Sequence, residues 1–370
     1  MGYTDRRDII NRLQKLRGTR IITHINSDRR SAGPWPVPAL NTKLGTEAQP
    51  FFYETLCAIG RVEALDLFLY TLGGQTDSVW PLVSILREFG SRLSVLIPYK
   101  AHSAGTLICL GADTLVMTDL SELSPVDPAT GNQFNPVDEI NKQTRKAISV
   151  EDVASYFRLA KAPYGAGEDT TDEPESVNLD LAFEILAKRV HPLALGNVER
   201  SNKQIRELVR RLLSLHWDFE KKGEEEKTLK IARRLTQERY SHTDILNRRE
   251  SLELLGDEMV NFASEEEQSL MFSLYYDYVD SLAMKKTFVL PSELGQSQQG
   301  QLKVVGGFIE TDSVSYIFTS VLNVTKRSAF PPGIQVSLQP GQLPPIIPGF
   351  PLEIQIELES IGWEPNQKGV

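Results

Sequence analysis

Apolar residues in the first third of the chain form continuous runs separated by segments of helical spacing. The runs at 64–74, 92–100 and 114–119 are typical of buried parallel strands. Between them, 77–90 and 103–113 carry apolar residues at the i, i+3, i+4 spacing of helices. Strand, helix, strand, helix and strand with short joints predict right-handed βαβ units and a parallel sheet.

The remainder of the chain predicts helices first and strands later. An amphipathic helix near 5–17 and a strand at 19–28 precede the βαβ units. Longer helices are predicted at 179–189, 191–215, 225–239 and 264–284. Alternating, β-rich segments follow residue 286, with a hairpin around "TDS" (311–313) and a strand "IQVSL" at 334–338 among them. We therefore expect an α/β fold with a parallel sheet core, a helical segment and a C-terminal β-rich extension. The expected domains are a core with its helical segment over 1–260, and a helix plus the β-rich extension over 261–370.

Composition narrows the function classes. Hydrophobic residues make up 41% and charged residues 24% of the chain, which is ordinary for a globular protein. The formal net charge of −9 argues against general nucleic-acid binding. Two cysteines, no apolar run of transmembrane length and no secretory signal predict a cytoplasmic protein without membrane insertion. No Cys/His cluster has metal-ligand spacing, and we expect no metal and no cofactor.

The stretch "YTLGGQTD" places two adjacent glycines directly after a buried strand. Glycine permits positive φ and close approach of another group to the backbone. Alone, the pair fits an ordinary strand-to-helix turn. The functional alternative is an oxyanion hole, in which a glycine N–H stabilises a developing negative charge. The phosphate-binding motifs G-x-G-x-x-G and G-x-x-x-x-G-K-[ST] are absent.

The stretch "HSAGT" follows the next strand and contains Ser103. Serine is a favoured N-cap residue, so on its own Ser103 fits a helix cap. The small residues after it leave room for a substrate carbonyl and free the Ala104 N–H as a donor. Ala101 stands at the first glycine position of the G-x-S-x-G elbow, so that motif is not present. Because both stretches follow consecutive parallel strands, they are expected at one sheet edge, which favours a nucleophile.

A serine nucleophile needs a base, and histidine spacing does not select one. His24, His102 and His216 are expected to be structural, while His191 at a helix start and His242 in a turn can each reach the site. An aspartate in an extended turn, Asp127 of "LSPVDP", is the candidate acid, although aspartate before proline is common in turns. A Ser–Lys dyad is the alternative, with the lysine candidates Lys100, Lys142, Lys146 and Lys161.

The segments "LDLFLYTLGG", "LIPYKAHSAGTLICLGADTLVMTD", "LSPVDP" and "VHPLALGNVERSNKQIREL" together resemble the serine dehydrogenase proteinase family. That family is a distant relative of the ClpP and signal-peptide-peptidase A proteases within the ClpP/crotonase fold. The resemblance covers roughly residues 5–260 and leaves out the β-rich extension. One position departs from it, because Leu72 stands where the family usually has proline before the double glycine.

The resemblance implies roles for five residues. Ser103 corresponds to the family's nucleophile, and the backbone amides of Gly74 and Ala104 correspond to its oxyanion hole. The family uses Ser, Asp and His in that chain order, which implies Asp127 and His191 as the remaining triad members.

The leading hypothesis is an ATP-independent serine peptidase that cleaves peptides or proteins through an acyl-enzyme on Ser103. Such cores commonly assemble as trimers or hexamers, which implies a homo-oligomer, with the long helices of 179–239 able to mediate it. The alternative is a non-catalytic scaffold for protein interaction. A third hypothesis, crotonase-like acyl-CoA chemistry, is disfavoured by the lack of a basic site for the CoA phosphates.

Overall fold

A computed structural model describes residues 2–126, 129–130, 133–138, 142, 144–161, 179–217, 223–236, 245–329, 346–347 and 349–366. Its strands are β1 (Arg20–Asn26), β2 (Ser31–Ala32), β3 (Val62–Tyr70), β4 (Gly90–Ile97), β5 (Lys100–Ala101), β6 (Thr114–Met117), β7 (Glu122–Leu123), β8 (Ala129–Thr130), β9 (Ile148–Ser149), β10 (Leu246–Asn247), β11 (Val260–Phe262), β12 (Phe288–Val289), β13 (Gln299–Glu310), β14 (Ser315–Ser328) and β15 (Leu352–Pro365). Its helices are α1 (Tyr3–Arg17), α2 (Gln49–Ile59), α3 (Val79–Phe89), α4 (Ala104–Leu110), α5 (Val150–Lys161), α6 (Leu179–Arg189), α7 (Pro192–Leu213), α8 (Glu224–Thr236), α9 (Arg248–Leu255), α10 (Glu265–Ser281) and α11 (Leu290–Glu293).

The described strands build an eight-stranded sheet in the order β11-β6-β4-β3-β1-β13-β14-β15. The five strands from β11 to β1 are parallel, and β13, β14 and β15 continue the sheet in antiparallel fashion. The predicted α/β class, the parallel core and its βαβ units are confirmed. The long helices follow the predicted segments, with α7 ending two residues and α10 three residues earlier than expected. Residues 237–239 of the predicted helix 225–239 lie outside the described residues.

Strand β3 shows why the sheet is buried on both faces. Its residues Leu65, Leu67 and Leu69 pack into a core with helices α2, α3, α4 and α7. Phe68 and Tyr70 point to the opposite face and pack with helices α1 and α10. The period of two along a strand thus separates the two cores, and a continuous apolar run results because both faces are covered.

The C-terminal strands join this sheet directly. Strand β13 pairs antiparallel with β1, and a turn at Thr311 connects it to β14 as the predicted hairpin. The segment predicted as a strand at 334–338 lies outside the described residues. The division of the chain at residue 260 stays a prediction, and the sheet crosses it.

Neither cysteine is paired. Cys57 is exposed and Cys109 is buried, and both are free thiols. Burial raises the pKa of the Cys109 thiol, which keeps it protonated and unreactive. None of the described helices combines the length and the apolar character that crossing a bilayer requires.

A buried ionic cluster fastens the N-terminal helix to the sheet. The Arg6 guanidinium donates two hydrogen bonds to the Glu310 carboxylate, at 2.7 and 2.9 Å, and one to Asp277 at 2.9 Å. All three side chains are at most 3% exposed. Each carboxylate would be left as an uncompensated buried charge without the arginine.

Replacing Arg6 with methionine is therefore expected to lower the free energy of unfolding by about 3–5 kcal/mol, because two buried carboxylates lose their partner. Urea unfolding followed by circular dichroism measures the loss. Arg92→Met is the matched control, since the Arg92–Glu63 pair is 68% and 84% exposed and its loss costs about 1 kcal/mol or less. Equal losses in the two variants would contradict the role given to the cluster.

Candidate functional site

The predicted nucleophile and the glycine pair lie on two neighbouring turns. These turns follow β3 and β4, which are adjacent in the sheet. The Thr71 N–H donates to the Lys100 carbonyl at 2.9 Å, and the His102 N–H donates to the Thr71 carbonyl at 3.0 Å. The parallel bridge between Thr71 and Ala101 thus continues the strand pairing beyond the strands themselves. The sheet order therefore brings both turns together, as the sequence predicted.

Ser103 has a backbone conformation that is rare for a residue with a side chain. Its φ of 50° and ψ of −112° place it in the left-handed half of conformational space, at a cost of about 1–3 kcal/mol. It occupies the N-cap position of α4, but its side chain makes no capping hydrogen bond. Within the described part of the chain its hydroxyl has no hydrogen-bond partner. The geometry therefore does not fit the helix-cap alternative.

Two buried hydroxyl groups hold Ser103 in this conformation. Its N–H donates to the Ser124 Oγ at 2.8 Å, and the Ser124 N–H donates to the Thr106 Oγ1 at 3.1 Å. The Thr106 hydroxyl in turn lies 2.8 Å from the Ala101 carbonyl oxygen. Ser124 and Thr106 are at most 3% exposed, so these bonds are shielded from water. Ser124 belongs to the "LSPVDP" stretch, in which the sequence pointed only to the aspartate.

The glycine pair has no room for side chains. A Cβ on Gly73, whose φ is 97°, would lie 2.7 Å from the Ser103 Cβ and 2.8 Å from the His102 carbonyl oxygen. A Cβ on Gly74 would fall on the Leu44 backbone. Real Cβ atoms do not approach other atoms so closely, so both positions require glycine. The pair thus lets the turn pack directly against the serine.

Two amides beside Ser103 have no acceptor among the described residues. The Leu44 backbone bonds to the residues on either side of Gly74, accepting from the Gln75 N–H at 2.8 Å and donating to the Gly73 carbonyl at 2.9 Å. In a parallel ladder the residue between these bonds directs its own N–H away, so the Gly74 amide points away from Leu44. No described group accepts a hydrogen bond from the amides of Gly74 or Ala104. An unpaired N–H beside a serine can stabilise an oxyanion.

A cleft of about 1230 Å³ opens at this point. Ser103, Gly74 and Leu72 line it, so the position that departs from the family pattern faces the same space. Its other lining residues are Asn26, Pro38, Ala39, Asn41, Thr42, Lys43, Leu44, Gly45, Glu47, Gln75, Thr76, Asp77, Gln204, Phe318, Ile361 and Trp363. The volume exceeds that of a typical small-molecule pocket and accommodates several residues of a peptide.

His191 lies away from the cleft. It is exposed, its ring stacks on Phe134 with centroids 4.9 Å apart, and its Nδ1 accepts from the Leu193 N–H at 3.2 Å as the N-cap of α7. Gln204, which lines the cleft, lies roughly 20 Å further along the same helix at 1.5 Å per residue. The capping bond also occupies one ring nitrogen, which leaves the proton of a neutral imidazole on Nε2. His191 is therefore not among the described residues that line the cleft with Ser103.

His24 and His102, which are expected to be structural, each pair with a neighbouring polar side chain. His24 is 1% exposed, stacks on Phe52 and donates from Nε2 to the Asn26 Oδ1 at 3.1 Å. Burial lowers the pKa of His24 to about 4, so its imidazole is neutral at pH 7. The His102 Nε2 lies 3.0 Å from the Glu122 Oε1. Burial and then Lys100 lower the pKa of His102 to about 4, and burial raises the pKa of Glu122.

The other candidate groups divide into four cases. Burial lowers the pKa of His216 to about 4, and its ring packs edge-on to Trp217 at a helix end, as expected. Asp127 and His242 lie outside the described residues. Lys100 is paired with Asp28 at 3.3 Å. The remaining lysines proposed for a dyad, Lys142, Lys146 and Lys161, are exposed.

Among the described residues that line the cleft, Lys43 carries the one amine. It is exposed and lies in the Pro- and Gly-rich loop before α2. Nothing in the spacing of that loop distinguishes this lysine from a solvated one, so it was not among the predicted bases. The loop reaches the site because Leu44 pairs with Gly74. No described group of His, Cys, Asp and Glu residues has the arrangement of a metal site.

Residues 2–155 match the family described as ClpP-like SDH-type serine proteinase. This match confirms the resemblance over that range and supports a serine proteinase function in general. The matched range contains Ser103, the glycine pair and Asp127, and it ends before His191. The assignment of the individual triad residues stays a prediction.

Similarity to individual proteins is weaker. An uncharacterized protein of Methanocaldococcus jannaschii, MJ0137, is 25% identical over 257 residues, which span 70% of this chain and 74% of that protein. A second uncharacterized protein of the same organism, MJ1495, is 27% identical over 143 residues, or 39% of this chain and 48% of that protein. A solved mutant of the 1510-N membrane-bound stomatin-specific protease is 18% identical with a TM-score of 0.24, covering 32% of this chain and 55% of that one.

The contact between Gly73 and Ser103 can be tested by adding one methyl group. Gly73→Ala is expected to slow the reaction of Ser103 with a fluorophosphonate at least about tenfold, because a side chain 2.7 Å from the Ser103 Cβ must displace it. The free energy of unfolding should fall by about 1–3 kcal/mol. Mass spectrometry of the labelled peptide gives the rate.

Gly60→Ala is the control for backbone strain alone. Gly60 also has a positive φ, of 78°, but nothing lies within 4 Å of an added Cβ. This variant is expected to lose stability and keep the labelling rate of the wild type. If both variants are labelled at the same rate, the glycine contact does not position Ser103.

Proposed function

We propose that this chain is an ATP-independent serine peptidase that hydrolyses peptide bonds through an acyl-enzyme on Ser103. The observation that carries the proposal is the conjunction of a strained serine with two neighbouring amides. Among the described residues the Ser103 hydroxyl has no hydrogen-bond partner and the Gly74 and Ala104 amides have no acceptor, and Ser103 and Gly74 line the cleft. The match of residues 2–155 to a serine proteinase family supports the same chemistry.

In the proposed mechanism the Ser103 Oγ attacks the carbonyl carbon of the scissile bond while a base takes the hydroxyl proton. The Gly74 and Ala104 N–H groups then hold the oxyanion of the tetrahedral intermediate. The amine leaves with the proton, and the acyl group remains on Ser103 as an ester. Water, deprotonated by the same base, hydrolyses the ester and releases the acid. The cycle needs only the peptide and water, and the sequence holds no nucleotide-binding P-loop.

The base in this proposal is His191, oriented by Asp127, and it acts on Ser103 of a neighbouring copy in a homo-oligomer. The distance along α7 argues against the same chain. Large apolar side chains on α6 and at the start of α7 are exposed, which supports burial of this helical segment against another copy. They are Leu181, Phe183, Ile185 and Leu193, each at least 50% exposed. A trimer or hexamer built in this way is part of the proposal.

Lys43 is the alternative base, because it lines the cleft with Ser103 in the same chain. A lysine can serve a serine nucleophile without any aspartate. The proposal keeps peptides or proteins as substrates and the cytoplasm as the location. The net charge of −9 argues against nucleic acid as the substrate. The two unpaired cysteines are typical of a reducing compartment such as the cytoplasm.

The nucleophile is tested by fluorophosphonate labelling of the purified protein with peptide mapping. We expect a single adduct at Ser103 and loss of both labelling and peptide hydrolysis, by about 10³-fold or more, in Ser103→Ala. Ser78→Ala is the matched control, since Ser78 is also a serine at a helix start but does not line the cleft. Folded wild-type protein that takes no label would instead favour the non-catalytic scaffold.

The base is tested by pairing two inactive variants. His191→Gln is expected to lose hydrolysis, and co-expression of His191→Gln with Ser103→Ala should restore part of it. Restoration follows because a mixed oligomer contains sites with Ser103 from one copy and His191 from the other. Peptide hydrolysis by the purified mixed oligomer measures this recovery.

Lys43→Met tests the lysine as the alternative base. In the proposed mechanism it retains hydrolysis, since the amine only lines the cleft. Loss of hydrolysis in Lys43→Met together with full activity of His191→Gln would show that the base is the lysine, and His191 would be excluded. Failure of the mixed oligomer to recover would exclude action between copies.

A further inference from the structure

One wall of the cleft comes from the C-terminal strands. Phe318 of β14 and Ile361 and Trp363 of β15 line the same space as Ser103 and Gly74. These strands lie outside residues 2–155, where the family match is found. The wall therefore belongs to the part of the chain that the serine proteinase match does not cover.

Strand register places the three side chains on one surface. Phe318 lies opposite Trp363 in the β14–β15 pairing, and Ile361 precedes Trp363 by two residues on the same face. The rings of Phe318 and Trp363 meet edge-to-face with centroids 5.5 Å apart. Ile361 is 50% exposed although it is a large apolar side chain. An aromatic pair bordered by an uncovered isoleucine forms an apolar surface open to the cleft.

The wall is fixed with respect to the nucleophile by a chain of contacts. The Trp363 ring packs edge-on to His24, with centroids 5.8 Å apart, and the His24 Nε2 bonds to the Asn26 Oδ1 at 3.1 Å. The Thr71 hydroxyl donates to the same Asn26 oxygen at 2.9 Å and accepts from the Gly73 N–H at 3.0 Å. Gly73 in turn contacts Ser103. The apolar surface and the serine therefore hold a defined mutual position.

The charged side chains that line the cleft do not belong to the C-terminal strands. Lys43, Glu47 and Asp77 lie on the loop before α2 and on the turn after β3, whereas the described residues of β14 and β15 contribute no ionisable group to the lining. A group that occupies the space over Ile361 therefore meets hydrocarbon and aromatic rings. An uncharged, bulky substrate side chain is the occupant that gains most from this surface.

We propose that Phe318, Ile361 and Trp363 form a subsite that receives a large apolar side chain of the peptide substrate. The proposal rests on the peptidase function proposed above and adds a preference for one class of substrate side chain. Filling the subsite raises kcat/KM for peptides with leucine or phenylalanine at one position over those with serine there. Because a serine side chain is too small and too polar to bury the same apolar area, we expect a preference of roughly ten- to a hundredfold.

The test compares two peptides that differ only in a leucine or a serine at one scanned position. Ile361→Asp is expected to reduce the ratio of their kcat/KM values at least about tenfold, since a carboxylate would be desolvated by the apolar side chain. The ratio cancels any loss that both peptides share at the nucleophile. Leu358→Asp is the matched control, because Leu358 is 46% exposed on the same strand but does not line the cleft, and its ratio should equal that of the wild type.

Calorimetric binding of the same two peptides to Ser103→Ala separates this proposal from the peptidase function. Tighter binding of the leucine peptide, lost in the Ser103→Ala, Ile361→Asp double variant, supports the subsite even if the wild type hydrolyses neither peptide. Hydrolysis by the wild type with an unchanged ratio in Ile361→Asp would overturn the subsite and leave the peptidase function intact. A change of oligomeric mass in Ile361→Asp with an unchanged ratio would instead identify the surface as a contact between copies.

Discussion

The site depends on the direct packing of the glycine turn against Ser103. A separation of 2.7 Å between the position of a Gly73 Cβ and the Ser103 Cβ leaves no space for any side chain there. This approach is possible because β3 and β4 are neighbours and their pairing continues through Thr71 and Ala101. The Gly74 and Ala104 amides, which have no acceptor among the described residues, therefore flank the serine as a consequence of strand order, with the Leu44 backbone fixing the direction of the Gly74 amide.

Strain at Ser103 is balanced by hydrogen bonds in its immediate surroundings. A left-handed conformation for this residue costs about 1–3 kcal/mol, whereas each buried hydrogen bond contributes about 0.5–1.5 kcal/mol net. The bonds that join Ser103, Ser124 and Thr106 to each other are thus of the same size as the strain. Residues without a hydroxyl at either position would leave a buried N–H unpaired, which costs more than the bond itself contributes. This balance explains why two small hydroxyl residues occupy the interior behind the nucleophile.

The sequence predicted those parts of the site that local periodicity and strand order determine. Continuous apolar runs identify parallel strands, and consecutive parallel strands end at one edge, which is sufficient to bring Gly74, Ser103 and Ala104 together. Ser124 follows the next parallel strand, so the same argument could have placed it at this edge. It was not predicted as part of the site because a serine before proline has many ordinary roles. The base was not determined, because helical periodicity shows which face of α7 is buried but not which end lies near the sheet edge. Lys43 reaches the cleft through a backbone bridge that no side-chain pattern encodes.

The C-terminal strands show a second limit of prediction from sequence, which concerns strand partners. Alternation predicted β13, β14 and β15, but it carries no information on their partner, and pairing of β13 with β1 places Trp363 beside His24. Residues from both ends of the chain thereby meet at one cleft, with reactive groups between Thr71 and Ala104 and the apolar wall between Phe318 and Trp363. Because different strands carry the two sets, substitutions in the wall can alter side-chain preference without disturbing the strained serine. The shared chain of contacts through His24 and Asn26 is what keeps the two sets in register.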